Sequence, residues 1–550
     1  MSVTIIICIL YLAICIFLGY LGYRHTKNAN DYLLAGRQIH PVIMALSYGS
    51  TFISTSAIVG FGGAAANFGM GLLWLTFLNV FVGIFIAFIV FGKKTREIGH
   101  RLDAHTFPEF LGKRFDSKFI QIFAATIIFV IMPLYAAAVM IGATNFMSTI
   151  FNIEYNIALL IFVLIVAVYV WSGGMRGVMY TEAFQGGIMF AAMIYLLAFV
   201  YWKLGGVITA HEKLTDLSSN PAVQDSIAGL VKNGFKGWTS MPSGGSPTWW
   251  TLVSTIVIGV GIGVLAQPQL AVRFLTVKSN REINRAVPAG GIFIKMMTGV
   301  AFIVGALSNL FFFEDTGEIA AVAAAGNKDN IIPLFIEKYL PGWFGSTFLV
   351  AMLAAAMSTL SSQFHAMGSA AGRDIYQTGT GKHSGNTMTM TKIGMIIAII
   401  LSTLLAYALP SFMGKEGQLI IATSTSLFFG ICAATFLPIY AGALYFKNMP
   451  KKAAKWGMVL GFVTSLIWIL FVHESESKPL LLCKAIFGVD SLAYFMGSAG
   501  ETIKMIDPIF VALPVSIIAT IVLSVIFKND LSKEHKIKCF GEMAESSMSQ

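Results

Sequence analysis

The sequence predicts an all-α polytopic membrane protein with thirteen transmembrane helices, and three observations carry that prediction. Of the 550 residues, 56% are hydrophobic and only 12% charged, with a mean hydropathy of +0.76, where soluble proteins carry about 25% charged residues. Apolar runs of bilayer length recur along the whole chain. Basic residues gather in every second connection between those runs, as the positive-inside rule requires. Residues 1–550 therefore read as a single membrane domain.

With about 20 apolar residues per crossing, the spans fall at 3–23, 41–68, 72–91, 119–150, 155–171, 180–202, 249–275, 289–313, 343–371, 391–410, 418–446, 456–473 and 506–527. Connections after odd-numbered spans hold Arg24, Lys27 and Arg37, then Lys93, Lys94, Arg96, Arg101, Lys113 and Arg114, then Arg176. They continue with Arg273, Lys278, Arg281 and Arg285, then Arg373, Lys382 and Lys392, then Lys447, Lys451, Lys452 and Lys455. The tail, 528–550, carries Lys528, Lys533, Lys536 and Lys538. Connections after even-numbered spans are short, acidic or mixed; 314–338 has Glu314, Asp315, Glu318, Asp329 and Glu337 against two lysines. The N-terminus is thus expected outside and the C-terminus in the cytoplasm. Span 1 lacks a basic n-region and a cleavage signature, so it reads as a retained helix.

The net charge of +10 lies in these short connections and implies no nucleic-acid partner. The five cysteines have neither CxxC nor Cys/His ligand spacing, so neither zinc nor a disulfide framework is expected. Two long connections, 203–248 and 474–505, fall outside; 219–248 is rich in Ser, Gly, Pro and Asn and reads as a covering loop with little regular structure.

Spans 2 and 7 are candidates for unwinding at membrane depth. Span 2, "PVIMALSYGSTFISTSAIVGFGGAAANFG", is dense in Ser, Thr and Gly; span 7, "TLVSTIVIGVGIGVLAQPQLAVRFLTV", has Gly259, Gly261 and Gly263 before Gln267 and Pro268. In a helix Gly costs about 1 kcal/mol and Pro about 3 relative to Ala. Glycines also serve simply to pack membrane helices closely. The two spans open two matching sets of five, 41–202 and 249–446. An odd number of crossings per set makes these an inverted repeat, with one helix before (3–23) and two after (456–527). Interrupted segments at matching positions point to a transporter binding site.

Span 9 contains "AMLAAAMSTLSSQFHAMGSAA", unusually hydroxylated for an apolar helix. At 3.6 residues per turn, Ala355, Ser358 and Thr359 share one face. Two hydroxyls and a loosened carbonyl suit a hard cation such as Na⁺, with unwound carbonyls of span 2 completing the shell. Alone, such hydroxyls would bond back to their own helix. Glu182, at the start of span 6, is expected either to line a cation exit path or to pair with Arg176. His365 is expected to relay protons or to sit satisfied near the exit, and Arg273 to snorkel to the inner interface.

The stretches "HTFPEFLGKRF" (105–115), "GGMRGVMYTEAFQG" (173–186) and "AAAMSTLSSQ" (354–363) resemble those of the sodium/solute symporter family in order and separation. The resemblance covers most of the chain. It implies a leucine-transporter-like fold of 5+5 inverted repeats and a Na⁺ site made by the carbonyls of Ser50, Ile53 and Ala355 with the hydroxyls of Ser358 and Thr359. Where members often have W-T-D, this chain has Tyr180, Thr181 and Glu182, which keeps the carboxylate on a longer arm. Ala57 stands where the sugar branch has Gln; "AQPQLAVRFLTVKS" (266–279) is closer to the proline and pantothenate branches, although Phe52 replaces the proline branch's Asp.

The expectation is Na⁺-coupled symport of a small anionic or zwitterionic solute bearing a carboxylate: an organic acid, pantothenate or an amino acid such as proline. The substrate-pocket candidates are Thr55, Ser56, Ala57, Thr76, Asn79 and Gln267. The protein reads as a multi-pass cell-membrane transporter with the lipid bilayer as its surroundings and no organic cofactor. Proton coupling through Glu182 or His365 is the nearest alternative, followed by a channel or a membrane sensor. No nucleophile–base constellation argues for an enzyme.

Overall fold

A computed structural model describes residues 2–24, 33–172, 175–381, 387–413 and 419–541. Lys27, Gly173, Gly174, Lys382 and the tail beyond residue 541 lie outside them. Among the described residues all regular structure is helical, and eleven helices are long and apolar enough to cross a membrane. The difference from thirteen lies in two places. Span 5 is a shorter apolar helix, Tyr155–Val170, and span 2 is broken, its second half continuing through Gly69 into span 3 within one stretch, Ser56–Arg101. Large apolar side chains face outward on the peripheral helices, Ile6, Leu160, Leu404 and Ile518 each being 60% exposed or more. That pattern fits a hydrocarbon solvent.

Both predicted interruptions are present, and each has a local cause. The first half of span 2, Pro41–Phe52, starts with Pro41 in its first turn and ends where Ile53 turns extended (ψ 100°). Helix resumes at Ser56 and runs to Phe68, where Gly69 takes φ +82°. In span 7 the break falls at Gln267, extended at ψ 115° immediately before Pro268. A proline ring disfavours the helical conformation in the residue before it.

The glycines are not the breaks. Gly259, Gly261 and Gly263 stay helical, and they act by closeness. A Cβ on Gly261 would meet the Leu78 side chain at 2.6 Å, and one on Gly263 the carbonyl oxygen of Phe429 at the same distance. On span 2, a Cβ on Gly63 would lie 2.2 Å from the Lys328 carbonyl oxygen. Proline interrupts span 7; its glycines pack it.

Span 9, Gly342–Ser369, packs against the first half of span 2 and against spans 4 and 6, while the second half of span 2 lies on span 8. Spans 12 and 13 pair with each other beside span 11. The 219–248 connection departs from expectation. It contains the helix Gln224–Lys232, preceded by Val207–Leu217. These short helices and the turn Pro221–Val223 between them bury Leu214, Leu217, Val223 and Ile227, apolar positions that the surrounding Ser, Gly and Pro disguise in sequence.

Candidate ion and substrate sites

The break in span 2 leaves carbonyls at the end of Pro41–Phe52 without successors to bond them. Span 9 supplies the donors. Ser358 Oγ donates to the Ser50 carbonyl at 2.8 Å and to the Ala355 carbonyl at 3.1 Å. Thr359 Oγ1 donates to the carbonyls of Thr51 at 3.0 Å and Ser50 at 3.4 Å. Ser50, Thr51, Ser358 and Thr359 are all fully buried. Ser358 does bond back to its own helix, yet both hydroxyls also reach across to span 2. Ser50, Ala355, Ser358 and Thr359 thus converge as a set of neutral oxygens. Ile53 stands at the break with its N–H on the Gly49 carbonyl, and Thr51 contributes an oxygen that sequence reasoning missed.

One turn further along span 9 lies a charged cluster. Glu182 Oε1 accepts from Arg273 Nη2 at 2.8 Å, from Ser362 Oγ at 2.5 Å and from Ser361 Oγ at 3.3 Å; its Oε2 accepts from Ser47 Oγ at 2.5 Å. Arg273 also donates to Thr51 Oγ1 at 3.0 Å and to Ser362 Oγ. Arg273 therefore does not snorkel. It lies six residues past the Gln267 break, ~9–12 Å along a helical path, too short a distance to reach the interface. Arg176, the expected partner of Glu182, instead donates to the Ala35 carbonyl at 3.2 Å. His365 is buried and lines a narrow cavity with Arg273, Ser362, Thr106 and Gln269.

A second cavity, narrow and tightly lined, lies on the other side of the oxygen cluster. Ile53, Ala57 and Asn79 line it, as do Tyr135, Thr298 and Thr425, polar groups from three further spans that carry no sequence signal. Phe52, Phe61, Phe302 and Phe429 close it with aromatic faces. Asn79 Oδ1 is buried without a hydrogen-bond partner among the described residues. Thr55 is turned away, donating to the Val139 carbonyl at 2.7 Å. Ser56 and Thr76 are off the cavity lining, their hydroxyls buried without described partners. Gln267 is also absent from it; its amide donates to the Gly263 carbonyl at 3.3 Å.

Two interrupted helices closing on a buried oxygen cluster, with a cavity on either side, define a secondary transporter. The fold is similar to that of a Na⁺-coupled sialic acid symporter solved in a substrate-bound outward-open state, at TM-score 0.71 and 19% identity over 96% of this chain and 99% of that one. Mhp1, a nucleobase-cation-symport-1 family transporter, matches at TM-score 0.51 and 12% identity over 93% of this chain and 99% of that one. Among curated relatives, sodium/proline symporter 2 of Staphylococcus saprophyticus is 26% identical over 495 residues, 88% of this chain and 89% of its own. The sodium/proline symporter of Staphylococcus aureus strain RF122 is 27% identical over 504 residues, 88% of each. Residues 32–461 match the sodium:solute symporter family, and the chain belongs to it. It is accordingly a multi-pass protein of the plasma membrane, a transporter rather than an enzyme, from a family whose coupling ion is Na⁺.

Proposed function

We propose that this protein carries a small carboxylate-bearing solute into the cell together with Na⁺, by alternating exposure of the site between spans 2 and 9. The observation that carries the reading is the approach of the Ser358 and Thr359 hydroxyls to the freed carbonyls of span 2. Na⁺ entering there is held by Ser50, Ile53, Ala355, Ser358 and Thr359, and leaves past Glu182 once Arg273 shifts. An ion moving inward gains about 2.3 kcal/mol per 100 mV, which is available to concentrate the solute.

The solute binds in the cavity lined by Ala57 and Asn79, beside the ion. Its aromatic walls suit a compact apolar ring, and its few polar groups suit a zwitterion. The relatives' names favour proline among the candidates. The N-terminal dipole of the second half of span 2 would face the carboxylate. The same reading takes thirteen crossings, repeats at 41–202 and 249–446, an outside N-terminus and a cytoplasmic tail.

Proteoliposome uptake tests it. Labelled proline, pantothenate, acetate, pyruvate, lactate, sialic acid and glucose are each offered with an inward Na⁺ gradient and with K⁺ in its place. Accumulation of one carboxylate-bearing solute with Na⁺ alone is expected. Accumulation indifferent to Na⁺ but driven by a pH gradient would transfer the coupling to protons and overturn the reading.

A further inference from the structure

A long open groove lies apart from the two cavities at the oxygen cluster and shares no lining residue with them. It runs between the core helices and span 13 and is open along one side. One wall is core: Phe91 of span 3, Leu265 of span 7, and Leu437, Ala441 and Tyr445 of span 11. The facing wall is a single helical stripe of span 13, from Leu513 through Ile517, Ile521 and Val525. Its rim is apolar and open, with Val525 83% and Phe446 66% exposed.

The two ends of the groove differ. One is wholly apolar, while the other carries Lys447 and Asn448 in its lining. Asn448 Oδ1 accepts from Lys536 Nζ at 3.1 Å and from Asn529 Nδ2 at 3.1 Å, which brings a second lysine to the same mouth. Among the described residues neither Lys447 nor Lys536 takes part in an ion pair, whereas neighbouring Lys451 faces Asp530 at 3.9 Å. A long apolar trough ending in two unneutralised ammonium groups and amide donors matches one ligand class. Basic pockets between membrane helices bind anionic lipid headgroups, and the trough takes the attached chain.

We infer that this groove is a binding site for one anionic phospholipid, an acyl chain lying between spans 11 and 13 and the phosphate at Lys447 and Lys536. Leu265 is two residues before the Gln267 break, so the lipid braces the segment of span 7 that must move during transport.

Native mass spectrometry of the purified, delipidated full chain tests this, titrating phosphatidylglycerol against phosphatidylcholine with identical chains. Each lysine near a lipid phosphate contributes about a fivefold preference, so wild type should retain one phosphatidylglycerol at least about fivefold more tightly. Lys447→Gln/Lys536→Gln, both at the solvent-facing mouth, should lose the preference yet still bind either lipid weakly. Ala441→Trp, which fills the trough, should lose both lipids while eluting as a folded monomer. Equal binding of the two lipids by wild type would overturn the proposal, as would phosphatidylglycerol retention unchanged in both variants. A dimeric mass without lipid would assign the groove to a second copy and overturn it equally.

Discussion

Glu182 Oε1 lies 2.8 Å from Arg273 Nη2, and neither side chain exposes more than 1% of its surface. The pair joins spans 6 and 7 directly beneath the span 9 hydroxyls, and it separates the oxygen cluster from the cavity at His365. Breaking a buried pair from one side leaves an uncompensated charge, at a cost of about 3–5 kcal/mol. Glu182→Gln and Arg273→Gln should each sharply lower the thermal midpoint in detergent. The double variant should recover much of that loss, since contacting groups couple by about 0.5–3 kcal/mol. Thermal midpoints of the four proteins check it, and simply additive losses would contradict a direct pairing.

How much of this was legible before folding varies with the signal. The Gln267–Pro268 dipeptide marks its own break because proline acts on the residue before it. The Ser358–Thr359 pair is visible because helical periodicity puts both hydroxyls and Ala355 on one face. Arg273 misleads because a sequence gives depth only by counting from span ends, and the count shifts once span 7 is seen to restart at Pro268. Tyr135, Thr298 and Thr425 are single polar residues within apolar runs. Only the packing of spans 4, 8 and 11 around the broken helices makes them neighbours of Asn79.

Trp238 fastens the 203–248 connection to the end of span 2. Its Nε1–H donates to the Ala66 carbonyl at 2.8 Å, a carbonyl that also accepts from Asn309 Nδ2 at 2.9 Å, and its own carbonyl accepts from Met70 N at 2.6 Å. Trp238→Phe keeps a ring and deletes the first bond, worth about 1 kcal/mol, or about fivefold in an open–closed equilibrium. A cysteine at Asn79 should then react about fivefold faster with a membrane-impermeant thiol reagent added outside. An unchanged labelling rate, read against a control with Asn79 intact, would show that the tryptophan does not restrain opening.

Asp329 makes the clasp between the 314–338 connection and span 11 sensitive to pH. Its Oδ2 accepts from Ile421 N at 3.2 Å at the start of Ile420–Tyr445, and Lys328 and Tyr155 are the titratable groups facing it. Burial pushes its carboxyl up to about 7 from an ordinary 3.8. A folded pKa raised in this way means that the native state holds the proton more tightly than the unfolded chain. The stabilisation is full below about 3.8 and is lost as pH rises through about 7. Asp329→Asn retains a capping oxygen and removes the titration. The thermal midpoint of wild type should fall relative to the variant between pH 4 and 7; parallel curves would contradict the assignment.

If the Ser358 and Thr359 hydroxyls hold the coupling ion, the Na⁺ activation curve of solute uptake depends on them. A bond from a neutral group to a charged one contributes about 1.5–3 kcal/mol. Ser358→Ala and Thr359→Ala should therefore each raise the half-saturating Na⁺ concentration at least about tenfold, with solute KM at saturating Na⁺ little changed. Thr359→Ser, which keeps the hydroxyl, should stay near wild type. Half-saturating Na⁺ unchanged in both alanine variants would mean that these hydroxyls serve only to join spans 2 and 9, and that the ion binds elsewhere.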